Sequence, residues 1–163
     1  LIESRAMKEI DIQGMTPAHL PQVAELSVAT EQVKFVGTME ELLVNIDDKL
    51  HPHVILDGNT VVGFFLIDTQ YGHRYDFAHP EALGLRAFFI DHHHQGKGYA
   101  KRAVLALKAF LLSAYPGFDQ IYLTVNCKNP AARHCYQQGG FIDTHELYLG
   151  GAAGPQHIMR MVL

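Results

Sequence analysis

The sequence predicts a single α/β domain of the mixed α+β kind, a central sheet with helices on both faces, and three observations carry that prediction. Strand-like apolar runs and amphipathic helical stretches follow one another in the order β, α, α, β, β, β, α, β, α, β, β. A mixed sheet covered on both faces buries all those stripes together. The chain has 163 residues, 48% of them hydrophobic and 18% charged, enough for one well-buried core and too few for two ordinary domains. A polar, glycine-punctuated turn, Gln95-Gly96-Lys97-Gly98-Tyr99-Ala100, joins an apolar strand to the longest helical pattern. No internal repeat or linker divides residues 1–163. Leu1 to Ala6 precede the first methionine, and position alone suggests Met7 as the natural start.

Residues 7 to 14 alternate loosely and read as a first strand. Thr16-Pro17 is a helix start, with Thr16 as N-cap and Pro17 where its missing N–H costs nothing. Leu20, Val23, Ala24 and Leu26 follow as its buried stripe. A second helical region begins near Glu31 and is renewed at Thr38-x-x-Glu41, a capping-box pattern ahead of Leu42, Leu43 and Ile46. From His53 the period becomes that of strands. Val54-Ile55-Leu56 and Val61 to Ile67 form a hairpin through Asp57-Gly58-Asn59, residues that tolerate the positive φ of a tight turn. Asp68 to Ala82 is polar and reads as a long connection that overhangs a site, and Leu85 to Ile90 is the fourth strand.

Beyond the glycine turn, Ala100, Ala103, Val104, Leu107 and Leu111 mark the buried stripe of a helix ending near Ala114, with Lys97, Lys101 and Lys108 along one flank. Ile121 to Val125 is a β-branched run. Asn129-Pro130 then opens a further helix by the cap-plus-Pro logic, and Gly139-Gly140 ends it. Phe141 to Leu149 and His157 to Leu163 are the last strands, joined by a hairpin loop over Gly150 to Pro155.

Composition excludes several function classes. The net charge of -4 and pI near 6.2, with no basic run, give no footing for nucleic acid or an anionic membrane surface. No apolar stretch approaches the length of a membrane span and no signal-peptide pattern opens the chain. Cys127 and Cys135 are too far apart for a redox pair and too few for a disulfide scaffold, which reads as reduced thiols in a cytoplasmic protein. Eleven histidines invite a metal, yet no His-x-x-x-His pair falls on a helix with an acidic partner, and consecutive histidines such as His92-His93-His94 cannot all face one ion. No metal is expected.

The turn at Gln95 to Ala100 presents backbone N–H groups at a helix N-terminus, where the helix dipole favours phosphate. An anionic cofactor is the first expectation. The spacing excludes a Walker loop, because Gly96-Lys97 is followed by Gly98 rather than Ser or Thr. It also excludes the dinucleotide fingerprint, because Lys101 stands where a small residue is needed.

Gln95-x-x-Gly98-x-Ala100 resembles the Gln/Arg-x-x-Gly-x-Gly/Ala motif of the GNAT superfamily of N-acetyltransferases. Asn129-x-x-Ala132-x-x-x-Tyr136-x-x-x-Gly140-Phe141 is similar to its second motif. From residue 8 onward the chain also resembles the spermidine/spermine acetyltransferase-like branch, through Val28-Ala29-Thr30-Glu31-Gln32, Phe35-Val36, Val62-Gly63-Phe64, Phe89-Ile90-Asp91 and Ile158-Met159-Arg160-Met161. Arg86-Ala87 stands where that branch has an aromatic–Arg pair, and Ala100 where it has Gly.

The resemblance implies the GNAT fold: a mixed, mostly antiparallel sheet of six to seven strands, splayed into a cofactor cleft between strands 4 and 5. It implies acetyl-coenzyme A as acyl donor. The backbone of Phe88, Phe89 and Ile90 would pair with the pantetheine arm, and Gln95, Gly96, Lys97, Gly98, Tyr99 and Ala100 would hold the pyrophosphate. Asn129, Ala132 and Arg133 would add contacts, and Lys97, Lys101 or Arg133 charge. Tyr136, two helical turns beyond Asn129, is the proton donor to the leaving thiolate. A base for the amine is sought among Glu81, Glu31, Asp91 and His93, with Glu81 the assigned catalytic residue and Glu31 and Asp91 assigned to the substrate. Cys135 is assigned to packing. The expected reaction is direct acetyl transfer to a small polyamine or diamine. A peptide N-terminus as acceptor and a non-catalytic acyl-coenzyme A module are the alternatives, and the superfamily's habit of dimerising offers a homodimer.

Overall fold

A computed structural model describes residues 10–27 and 38–163. Seven strands form one sheet: β1 (Asp11–Gly14), β2 (Leu50–Asp57), β3 (Thr60–Asp68), β4 (Leu83–Ile90), β5 (Gln120–Asn126), β6 (Ile142–Tyr148) and β7 (Gln156–Val162). Their spatial order is β1-β2-β3-β4-β5-β7-β6. Every pairing is antiparallel except β4 with β5, which is parallel. This is the mixed, mostly antiparallel sheet that the sequence predicts.

Helices cover both faces. On one face lie α4 (Tyr99–Ala114) and α5 (Pro130–Gln138), whose Ala103, Val104, Leu107, Leu111 and Tyr136 pack on Ile55, Phe65, Leu85 and Leu123. On the other lie α1 (Leu20–Ala24) and α2 (Met39–Val44), which bury Val23, Met39 and Leu42 against Val54, Phe64 and Phe89. Thr38 caps α2 as its motif requires, its Oγ1 accepting the Glu41 N–H at 3.2 Å.

Two expectations are corrected. Pro17–His19 is a 3-10 turn and α1 begins only at Leu20, so Leu20 faces solvent (44% exposed) while Val23 and Leu26 carry the burial. The stretch from Asp68 to Ala82 is more than a polar connection. It contains α3 (Tyr71–Arg74) and buries Tyr71, Ala78 and Ala82 in a third cluster with Tyr122 and Ile158. Its aromatic residues pack together, Tyr71 against Tyr75 and both Tyr75 and Phe77 against Tyr148 of β6, so side-chain packing decides what its polar composition concealed.

His53 of β2 is buried and lies flat on Phe65, ring centroids 4.9 Å apart. Its Nδ1 donates to the His51 carbonyl at 3.0 Å, and burial pushes its pKa down to about 4. An unfolded histidine takes up its proton below about pH 6.5, so between the two values the unfolded chain binds more protons and acidification favours unfolding. Urea unfolding is expected to show this site contributing a loss of roughly 3 kcal/mol from pH 6.5 to 4, a loss that His53→Gln removes. An unchanged pH dependence in the variant would contradict the assignment.

Candidate active site

The site is built on an irregularity in β4. Phe64 of β3 faces Phe89 while Leu66 faces Arg86, so β4 carries one residue more than its partner over that interval. Ala87 takes up the excess with φ of 54°, a left-handed conformation that costs a residue with a Cβ about 1–2 kcal/mol. The bulge changes which face each side chain meets. Leu83 and Leu85 point toward α4 and α5, and so do Phe88 and Ile90, while Arg86 and Ala87 both fall on the opposite face.

On its other edge β4 pairs with β5 only at Leu83–Ile121 and Gly84–Tyr122. Beyond that the strands part, and a cleft of about 1060 Å³ opens between them, walled by Phe88 and Ile90 on one side and Leu123 and Val125 on the other. This is the splay expected between strands 4 and 5.

The turn after β4 forms one end of the cleft. Gly96 and Gly98 have φ of 81° and 78°, conformations natural to glycine, and α4 opens on Gly98 with no side-chain cap. The first-turn N–H groups of α4 therefore face the cleft mouth, a geometry suited to a phosphate. Tyr99 is anchored by a short hydrogen bond from its hydroxyl to Asp57 Oδ2 at the β2–β3 turn, which raises its pKa. Arg102 stacks on the Tyr99 ring at 4.9 Å and donates to the carbonyls of Lys97 and Gly98 at 3.0 and 3.3 Å. Those bonds occupy two carbonyls of the turn and brace its shape.

On the far wall, Asn129 is buried and caps α5, its Oδ1 accepting the Ala132 N–H at 3.3 Å. Tyr136 is buried edge-on between Phe88 (5.9 Å) and Phe141 (5.8 Å), so the α5 phenol touches the bulged strand. Burial pushes its pKa above the ordinary tyrosine value, which keeps it protonated throughout the neutral range. Cys135 also lines the cleft, and burial raises its thiol pKa.

Of the residues singled out in the sequence, Phe88, Phe89, Ile90, Gln95, Gly96, Gly98, Tyr99, Ala100, Asn129, Ala132 and Tyr136 line this one cleft. Four others do not. Lys97 is exposed, outside the lining. Arg133 turns back to Asp143, with Nε 3.1 Å from Oδ2, so its charge is already matched. The Asp91 carboxylate accepts the Ser27 N–H at 2.8 Å and its hydroxyl at 3.3 Å, a latch from the end of β4 to the chain after α1. Glu81 is exposed and borders a separate shallow depression with Thr69 and Phe118. Glu31 lies outside the described residues.

Sequence reasoning missed Ala87 as a bulge and missed Arg74 and Arg86. Both guanidiniums line the end of the cleft away from the glycine turn and meet the buried Asp68, at 2.9 Å and 3.4 Å. A charged residue inside the apolar run Leu85 to Ile90 was the available signal.

The fold agrees with the comparisons to known proteins. The model of the acetyltransferase (GNAT) family matches residues 20–141. An uncharacterised N-acetyltransferase of Bacillus subtilis strain 168, YbbJ, is 33% identical over 88% of this chain and 91% of its own. A probable spermine N(1)-acetyltransferase of Bacillus subtilis subsp. natto is 29% identical over 87% of this chain and 93% of its own. Among solved structures, the aminoglycoside acetyltransferase AAC(6')-Ib in complex with coenzyme A superposes with a TM-score of 0.75 at 18% identity, covering 94% of this chain and 95% of that one. The chain belongs to the GNAT acetyltransferase family. It is an acetyltransferase, and its acyl donor is that family's, acetyl-coenzyme A.

The residues fit that donor: positive-φ glycines with open space where a Cβ would stand at Gly96, a helix start with no side-chain cap, and a strand edge that has left its β5 ladder. Gly98→Val forces a branched side chain into a left-handed conformation. Coenzyme A binding, measured by calorimetry, is expected to weaken about tenfold or more for a strain of 1–2 kcal/mol, with the fold retained. Unchanged affinity would remove the turn from the binding site.

Proposed function

We propose that the protein transfers acetyl directly to a primary amine of a small molecule, with the chemistry centred between the bulged backbone of β4 and Tyr136. The observation that carries this reading is the convergence of the glycine turn, the β4 bulge and the Tyr136 ring on one cleft.

Acetyl-coenzyme A supplies the activated thioester when bound. Backbone N–H groups of Gln95 to Ala100 hold the pyrophosphate, and the free edge at Phe88 to Ile90 takes the pantetheine as an added strand. A β4 N–H beside the bulge polarises the carbonyl under attack. Tyr136, kept protonated by burial, gives its proton to the departing sulfur, and Phe88 and Phe141 hold the ring for that task. Cys135, also kept protonated, is a poor nucleophile, which favours direct transfer over an acetyl-cysteine relay. Asp47 is the one carboxylate among the described cleft-lining residues and it is exposed, so the proton of the amine leaves to solvent.

A small polyamine or diamine as acceptor is the second reading. The 29% identical relative named for spermine favours it, as does the sequence resemblance. The charge of the described walls does not, because a polycation calls for an acidic channel.

Tyr136→Phe keeps the aromatic packing and removes the proton donor. Thiol release from acetyl-coenzyme A, with a panel of polyamines, aminoglycosides, amino acids and peptides, is expected to show kcat reduced about 100-fold or more with coenzyme A affinity preserved. Full activity in the variant would sink the role of Tyr136, and thiol release with no amine of the panel would sink the function.

A further inference from the structure

The end of the cleft away from the glycine turn has an unusual charge arrangement. Arg74, at the end of α3, and Arg86, the residue before the bulge, both line it and are 42% and 40% exposed, while Asp68 beneath them is fully buried. Both guanidiniums converge on one oxygen, Asp68 Oδ2. The other oxygen accepts the Gln70 N–H at 2.8 Å. A guanidinium has five N–H donors, and among the described residues each of these makes its ion pair with Asp68 through a single nitrogen. One buried carboxylate under two guanidiniums leaves a positive charge and a row of N–H donors directed into the cleft.

Among the described residues the one carboxylate lining the cleft is Asp47. Its Oδ1 is committed to the N–H groups of Lys49 and Leu50, at 2.8 and 2.9 Å, and these bonds hold its pKa below the ordinary carboxylate value. It is a solvated rim charge, screened by salt, and Arg86 lies deeper, one residue from the bulge. Tyr71, Tyr75 and Tyr148 add an aromatic, uncharged lining to the cleft beside them.

Resting on the proposed acetyl transfer, we propose that the acceptor is a primary amine that carries a carboxylate, of the amino-acid class, and that Arg86 with Arg74 binds that carboxylate. Planar guanidiniums match carboxylate geometry with paired hydrogen bonds, and Asp68 fixes their orientation from below. The same charges aid the chemistry, because a cation beside an ammonium group lowers its pKa and favours the neutral nucleophile. They repel a polyamine, whose second and third ammonium groups find no carboxylate deep in the described walls. In the transfer the ammonium first loses one proton to water, the nitrogen lone pair forms the new C–N bond as the C–S bond breaks, the thiolate takes the Tyr136 proton, and the second proton shed by the nitrogen as the amide forms returns through solvent to Tyr136.

The test uses the purified full chain with acetyl-coenzyme A and two families of amine, amino acids and polyamines, reading thiol release and, with coenzyme A present, the thermal shift each amine produces. Amino acids are expected to give the higher kcat/KM. Arg86→Met and the more exposed Arg74→Gln are each expected to raise the KM for the amino acid about tenfold or more while the KM for acetyl-coenzyme A stays unchanged. Polyamines turned over more efficiently than every amino acid, or an amino-acid KM indifferent to both substitutions, overturns the inference while the acetyl-transfer reading stands. If no amine is turned over, an Arg86-dependent thermal shift by amino acids upholds the carboxylate site and removes the transfer reading, and the lack of any such shift overturns both.

Discussion

Strands β4 and β5 hydrogen-bond at Leu83–Ile121 and Gly84–Tyr122 and then part, and the remainder of the structure is arranged around that parting. Parallel strands in one sheet normally continue their ladder. Here the extra residue at Ala87 bends β4 away, and the strained φ of 54° is held in place by well-packed neighbours on both sides. Phe88 and Ile90 are gripped by the α4–α5 core and Phe89 by the α1–α2 core. A backbone strain of about 1–2 kcal/mol persists because both cores would have to be disturbed to release it. What it yields is an open strand edge with ordered, outward-facing peptide groups beside a buried phenol.

The two ends of the cleft are stiffened differently. At the glycine end, Tyr99 ties the start of α4 to Asp57 on the neighbouring hairpin, and Arg102 bridges the carbonyls of the turn. The N–H cradle is thereby oriented before any anion arrives, which lowers the ordering cost of binding. At the other end, Asp68 plays the corresponding part for Arg74 and Arg86. A fully buried carboxylate is tolerated there because two guanidiniums and the Gln70 N–H compensate it. Recognition at both ends thus rests on charges and dipoles fixed by groups outside the cleft itself.

Much of this was legible in the sequence because local rules governed it. The Thr38 and Asn129 caps, the stripe of α4, the hairpin at Gly58-Asn59 and the glycine turn each follow from residues close in the chain, and all appear in the structure. The failures are long-range. A period of two drawn through Leu85 to Ile90 cannot show that the phase reverses at Ala87, because the bulge is set by register against β3. Asp91 and Arg133 have side chains suited to a ligand, yet each is occupied by a partner distant in sequence, Ser27 and Asp143. Glu81 precedes β4 by two residues but falls on the outside of the 68–82 segment, since the aromatic residues of that segment turn inward.

The central claim is that the free edge of β4 beyond the bulge, together with the glycine turn, is where the acyl donor binds. Hydrogen exchange of backbone amides with and without coenzyme A tests it most directly, because the claim concerns N–H groups that gain partners only on binding. Slowed exchange is predicted at Phe88 to Ile90 and at Gly96 to Lys101, with the β1–β2 ladder unchanged. Protection confined to other elements, with those two segments exchanging as before, would contradict the account.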